Sequence, residues 1–563
     1  MEYKPVSLTK FINFIKGGNT MIMKSKLLMS ILIIVLVFSL SACGGGGNNA
    51  GSSGDTLRVG WTSEPDILNP LTTYSTEALQ ITNLVYEPLL GYDTNLELSY
   101  KLAESFEYSE DYLTLTFQLK EGVKWHDGEP FTAEDVVGSY NIVKDNEMSD
   151  AAKYTADLES VTADGDYTVI LEFSEPQAFN LAPTIPILPM HIWGDMTAED
   201  IEAYSNDEPI GTGPMKFVSW DQGATVNLER NDEYYGTEPG PAKITFIQYG
   251  NEDVMAQALK ANEIDIITEV PPTVWEGLTD QDDINAVSLD SFSFHMVGFN
   301  CYESPDSQGN PILRDVAVRQ AINCAADRSN IVEVALSGHG APGSVMIPDG
   351  MKQWQYQVPE DQLLDNNQEK AKKLLADAGY EDTNGDGVLE KDGEPLEFRL
   401  YAIESTTVDV RAAQMLRDSC EDIGIKLDLQ TMDENTMGGY IFDSDADFDL
   451  FVWGWDSDYL DPGYLLGIPL TDQIGEDNDV FYSNPEYDEL YLKQAREMNE
   501  DKRQEYLDQL QKIFYNDCGY LILWYQDKLQ AYRTDTWTGW EEVDGGIIYN
   551  VTYDNYVNVQ PAE

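Results

Sequence analysis

Leu113-Thr-Leu-Thr-Phe-Gln-Leu119 runs through a polar turn into Pro130-Phe-Thr-Ala-Glu-Asp-Val136, with Val137 and Tyr140 beyond it. The first segment alternates apolar and polar residues, the pattern of a strand with one buried face. In the second, Thr132-Ala-Glu-Asp135 sets a hydroxyl three residues before an acid. This capping-box-like start, with Thr132 as N-cap, predicts a helix through Val136, Val137 and Tyr140. The same alternation extends outward in both directions. Thr168 to Phe173 reads as a strand. Gly211-Thr-Gly-Pro214 is a tight turn, followed by a strand at Val226 to Leu228. Ala256 to Ile267 reads as helix, turn and buried strand. Val316 to Leu336 predicts one long helix ending at Gly338. Gln368 to Ala378 predicts a helix stopped by Gly379. Leu507, Leu510 and Phe514 mark one face of a helix ending near Gly519. Strands alternating with helices in this way indicate α/β lobes with mixed sheets. No internal repeat or interior low-complexity linker separates the lobes, so they are expected to interleave.

The N-terminus sets the compartment. Lys24-Ser25-Lys26 is basic, Leu27 to Leu40 is apolar, and Leu40-Ser41-Ala42-Cys43 is followed by Gly44 to Gly47. That order is the order of a secretory signal. The apolar run falls short of the roughly 20 residues a spanning helix needs. Leu-Ser-Ala-Cys resembles the bacterial lipobox, which implies that Cys43 becomes the lipid-bearing first residue. Residues 1–42 therefore read as a signal peptide, with translation starting at Met21 or Met23. Residues 43–54 read as a lipidated, flexible Gly/Ser/Asn linker. The expected location is the extracytoplasmic face of the cell membrane.

The formal charge is −66, from 100 Asp and Glu against 34 Lys and Arg. Such a surface repels nucleic acid and anionic lipid, and it attracts cations. The acids are spread along the chain, and 32 Tyr and 11 Trp accompany them, so this is no disordered acidic tail. Beyond Cys43, the four cysteines Cys301, Cys324, Cys420 and Cys518 lack CxxC spacing and nearby His partners, which argues against a zinc or redox site. Cys420 continues the stripe Ala412, Leu416, Cys420, Ile423 and reads as a buried thiol. One or two disulfides remain open outside the cell, with no pairing indicated.

Several segments together resemble the solute-binding proteins of oligopeptide and dipeptide ABC importers, extracellular solute-binding protein family 5. They are Asp66-Ile-Leu-Asn-Pro70, Leu119-Lys-Glu-Gly-Val-Lys-Trp-His-Asp-Gly128 with Pro130 to Val136, Gly211 to Pro214, Arg319-Gln-Ala-Ile322 with Asp327-Arg328, and Trp453-Gly-Trp-Asp-Ser-Asp-Tyr-Leu-Asp-Pro462. They follow the family's order across nearly the whole mature chain. The resemblance implies a two-lobed, periplasmic-binding-protein-like α/β clamshell of type II, in the large class with an inserted subdomain. Residues 55–86, 204–294 and 522–563 would form lobe I, 87–203 the insertion and 295–521 lobe II. Crossing segments near 294–300 and 520–525 would form the hinge. The implied function is a non-enzymatic binder that delivers peptides to ABC permease and ATPase subunits, monomeric and without nucleic acid. The same residues leave open another solute, such as an oligosaccharide or metal complex. A secreted hydrolase working through two carboxylates also stays open.

The resemblance places the ligand at Gly454, Trp455, Asp456 and Asp458. Gly454 and Trp455 would line the pocket, and Asp458 would pair with a peptide ammonium. Asp456 rivals it from two residues away. An acidic surface turn ending at Asp461-Pro462 is the plainer alternative. A second candidate is Asp382-Thr-Asn-Gly-Asp-Gly-Val-Leu-Glu390. Asp382, Asn384, Asp386, Val388 and Glu390 match the opening of an EF-hand-type loop, which makes structural Ca2+ a candidate; no cofactor is otherwise required. Position 12 is Gly393 where a bidentate Glu is expected, and an acidic Asx-type turn explains the same residues. His126 reads as a turn residue. His191, His295 and His339 have no ligand spacing. Gly338-His-Gly-Ala-Pro-Gly343 matches G-x-G-x-x-G but comes after a helix, which excludes dinucleotide binding.

Overall fold

The structure, a computed structural model, describes residues 55–562 except 147, 149–151, 153, 154, 180, 181, 458 and 549–552. The leader, Cys43, the linker to residue 54, and Asp458 lie outside the described residues. Among the described residues, no helix is long and apolar enough to cross a membrane.

The main sheet is organised by two long strands, Ile284–Phe299 and Tyr520–Arg533, which pair antiparallel along most of their length. On one side they lead into Ile266–Ile267, Thr56–Trp61, Lys243–Gln248, Thr225–Arg230 and Met215–Asp221. On the other side come Leu450–Asp456, Glu397–Ile403 and Lys426–Met432. The result is one sheet with two wings, matching the mixed α/β class and the two-lobed expectation. Pairing between the crossing strands shifts register between Asp290 and Phe294. Both strands run unbroken through the expected lobe limits at 294/295 and 521/522.

In each wing the parallel strands turn into helices. Asn251 caps Glu252–Lys260 through its side chain, and Pro sits in the first turn of Pro272–Thr279. The second wing buries Ala412, Leu416 and Cys420 of the helix Thr407–Glu421, the stripe expected from the sequence. A separate four-stranded antiparallel sheet, in the order Ala103–Tyr108, Thr114–Leu119, Thr168–Phe173 and Leu158–Ala163, packs with the helix Ala133–Asn146 around its own core. Asp135 completes half of the expected capping box, accepting from the Thr132 backbone N–H at 2.9 Å.

Two expectations need correction. The long helix over Val316 to Leu336 is two helices, Val316–Ala325 and Arg328–Ala335. Ala326 is extended, and Asp327 caps the second helix by accepting from the Asn330 N–H. Apolar spacing continues across the break, whereas the aspartate's preference for a cap ends the first helix. Nor does a disulfide form among the described residues: Cys301, Cys324, Cys420 and Cys518 are all free thiols, and the last three are buried. They pack as small apolar groups in the second wing, Cys301 at the edge of its core.

The stretch around His126 is a joint. Its Nδ1 accepts from the Gly211 N–H at 3.3 Å and its Nε2–H donates to the Gly213 carbonyl at 2.9 Å. Burial lowers its pKa to about 4, so the ring is neutral. A β-carbon on Gly211 would lie 1.8 Å from the Val85 carbonyl oxygen, so only glycine permits this approach. Beside it, the fully buried Glu87 accepts from the hydroxyls of Tyr234 at 2.7 Å, Tyr235 at 2.9 Å and Thr212 at 3.1 Å. The Gly211–Pro214 turn and the strand–helix signature are thus one structural unit.

Candidate functional site

Between the wings lies a cleft of about 680 Å3. Its position derives from the topology. Thr56–Trp61 runs parallel to Lys243–Gln248 and Ile266–Ile267, and Glu397–Ile403 runs parallel to Lys426–Met432 and Leu450–Asp456. Residues just beyond the carboxyl ends of these strands line the cleft: Glu252 and Glu269 to Pro272 in one wing, Ser405 to Asp409 and Glu434 in the other. Open α/β sheets bind ligands in this place, because side chains and helix N-termini converge there while the sheet stays rigid. The floor is the crossing pair itself, with Ser291, Ser293 and His295 opposite Gln526 to Leu529.

One wall is the end of Leu450–Asp456. Trp453, Gly454, Trp455 and Asp456 all line the cleft. One edge of this strand pairs with the first crossing strand as far as Ser293 opposite Asp456. On the other edge, pairing with Glu397–Ile403 covers only Leu450 and Phe451. Beyond Phe451 that edge has left the ladder, at the residues that border the cavity.

Buried groups fix this wall. The Trp455 indole N–H donates to Asp479 at 3.0 Å, and the Tyr520 hydroxyl donates to the other oxygen of the same carboxylate. Asp479 is fully buried, and burial raises its pKa to about 7. Next to it, His295 stacks on Trp524 with ring centroids 4.8 Å apart, and its Nδ1 meets Asp409 at 3.0 Å. His295 is the register partner of Gly454, where a β-carbon would come within 3.0 Å of the imidazole. The glycine therefore makes room for the ring. Across the cleft, His339 packs edge-on against Trp275 at 5.0 Å.

The sequence-predicted residues Gly454, Trp455 and Asp456 thus come together on one wall. Sequence reasoning misses His295, His339, Asp409, Glu269, Asp527 and the supporting Asp479 as parts of the site. They come from distant elements, and no local spacing links them. The signature at His126 lies in the joint and does not line the cleft.

The hairpin at Asp382 to Glu390 is tied largely by bonds within its own chain, while the buried Oε2 of Glu390 has no hydrogen-bond partner among the described residues. Asp382 accepts from the N–H groups of Gly385 at 2.6 Å and Gly387 at 3.1 Å; Asp386 accepts from Val388 N–H at 2.9 Å and from the Asn384 amide at 3.0 Å. The Thr383 N–H donates to Glu390. Among the described residues, no three His, Cys, Asp or Glu side chains converge as a metal site.

Residues 97–476 match the family model for bacterial extracellular solute-binding proteins, family 5. The chain belongs to that family. This family 5 protein is 31% identical to the oligopeptide-binding protein AppA of Bacillus subtilis over 524 residues, 90% of this chain and 94% of AppA. The structure of AppA from Bacillus subtilis in complex with a nonapeptide is similar, with a TM-score of 0.72 and 28% identity over 90% of this chain and 99% of that one. NikZ from Campylobacter jejuni in complex with Ni(L-His) gives a TM-score of 0.75 and 25% identity over 90% and 99%. The family is one of extracytoplasmic substrate-binding proteins rather than enzymes.

Proposed function

We propose that this family 5 protein captures peptides between its two wings and delivers them to the permease of an ABC importer. The observation that carries the reading is the strand edge at Val452 to Trp455, which lies beyond the pairing with Glu397–Ile403. An extended peptide can add there as a further strand, gaining main-chain hydrogen bonds that do not depend on its side chains. Trp453, Trp455 and the open volume in front of them supply room for side chains. AppA is an oligopeptide-binding protein and is found with a nonapeptide. NikZ, with its nickel–histidine ligand, represents the other solute class.

In this reading Asp456 and Asp458 compete for the peptide ammonium. Residues 55–86, 204–294 and 522–563 act as one lobe, 295–521 as the other, and 87–203 as an inserted subdomain. Cys43 carries a lipid that holds the protein on the extracytoplasmic face of the membrane, and the protein works as a monomer without a required cofactor. Calcium at Asp382 to Glu390 serves a structural role. Binding must favour the closed arrangement, since a ligand shifts an equilibrium only by its differential affinity.

The test is a thermal-shift screen of the purified full-length protein against peptides, oligosaccharides and nickel–histidine. Only a ligand of the folded state raises the midpoint. Peptides should do so and be recovered intact. Stabilisation by sugars or the metal complex alone, or cleavage of the peptide, would overturn the assignment.

A further inference from the structure

The cleft is defined by its walls and volume, and its charge is uneven. Six carboxylates line it: Glu252, Glu269, Asp409, Glu434, Asp456 and Asp527. Lys528 is the one lysine or arginine among the described lining residues. The acids stand on opposed surfaces, Glu252 and Glu269 on the first wing, Asp409, Glu434 and Asp456 on the second, and Asp527 on the floor.

Several of these charges are already uncomfortable. Burial raises the pKa of Glu252, and repulsion from Glu269 and Asp253 adds to it. Glu77, behind this wall, is raised by burial and by repulsion from Glu269 and Asp66. Asp527 is raised by burial and by Asp290. Among the described residues, neither Glu252 nor Glu269 has a lysine, arginine or histidine in contact, whereas Asp409 meets the His295 ring at 3.0 Å. Part of the charge has a local role. Glu252, Asp409 and Glu434 sit in the first turns of helices, whose N-terminal ends each carry about half a positive charge. That offsets part of the charge of three carboxylates, and Glu252 shares its helix end with Asp253. Glu269 and Asp527 stand outside any helix first turn, so no helix end offsets them.

We infer that the cleft selects cationic ligands: peptides carrying lysine or arginine side chains in addition to the α-ammonium, with Glu252 and Glu269 receiving a basic side chain. This rests on the peptide reading and adds its substrate class. The physical reason lies in closure. Bringing the wings together moves like charges into a drier space, where their repulsion grows. A neutral peptide leaves that repulsion in place, and an acidic one adds to it. A basic peptide converts it into attraction across both walls, so positive charge favours the closed state over the open one.

The test is a calorimetric titration of the full-length protein at low and high salt with three probes: Ala-Ala-Ala-Ala-Ala, Ala-Lys-Ala-Lys-Ala and Ala-Glu-Ala-Glu-Ala. The lysine peptide should bind about tenfold tighter than the alanine peptide at low salt, equivalent to about 1.4 kcal/mol. The glutamate peptide should bind weakest, and salt should narrow the gap. In the double variant Glu252→Gln, Glu269→Gln, the ratio of lysine to alanine affinity should fall towards one. Equal affinities of all three peptides for the wild-type protein would overturn charge selection and leave the peptide reading standing. An unchanged ratio in the folded double variant would remove Glu252 and Glu269 from the role. Binding of none of the three would overturn both.

Discussion

The joint at His126 and the cleft wall at Trp455 are each pinned by a buried polar group, and they face different ways. At the joint, the polar side chains turn inward: His126 on the glycine turn, Glu87 under three hydroxyls. At the wall, the buried carboxylate of Asp479 holds an indole whose other face borders the cleft. The joint thus serves one conformation, and a wrong residue there disturbs folding. In the proposed reading the wall serves a ligand, and a wrong residue there can leave the fold intact.

The sharpest way to break this contrast is Gly211→Ala. The new methyl would meet the Val85 carbonyl, and a loss of more than about 4 kcal/mol in urea unfolding is expected, with peptide affinity per folded molecule kept. A midpoint close to wild type would mean that the joint is not structural. Next is Asp458→Asn, expected to weaken peptide binding by about 3 kcal/mol with little change in stability, as when a charge loses its buried partner. If Asp456→Asn weakens binding instead, calorimetry reassigns the ammonium partner.

Asp479 gives a smaller effect, with a definite sign. Its folded pKa of about 7 exceeds the ordinary value of 3.8, so the native state binds the proton more tightly. Stability from this group is therefore present at low pH and lost as pH rises towards and through 7. Asp479→Asn should gain on the wild type by about 2 kcal/mol between about pH 5 and pH 8. Parallel stability curves for the two proteins would show that the carboxylate is already ionised without penalty. The smallest effect is expected at the hairpin. Asp382→Asn should change stability by less than about 1 kcal/mol without calcium and abolish the small gain that calcium gives the wild type. Equal stability of the wild type with and without calcium would show that the loop is not a metal site.

The contrast also explains what could be read from sequence. Strand and helix at Leu113 to Tyr140 were legible because their signals are local: alternation, a cap, a turn. The wall at Gly454 to Asp456 was legible as part of a family segment on a strand end. Asp479, Glu269 and His295 were not, because their roles arise only when strands from distant parts of the chain are laid side by side. The break at Ala326 shows the same limit in reverse. Apolar spacing predicts one helix, and a single aspartate cap makes two.

The crossing strands carry a consequence for how the cleft measures its contents. Each belongs to both wings, and their pairing shifts between Asp290 and Phe294, at the cleft-lining Ser291 and Ser293. In the proposed reading the wings close by rotation about that line, which leaves points on it in place and displaces others in proportion to their distance. A group resting on the floor is held much the same before and after the wings move. A group reaching Glu252 or Glu434 is at the end of a lever, where a few degrees decide whether two surfaces touch it or one. Ligand length, through this lever, becomes a dial on closure.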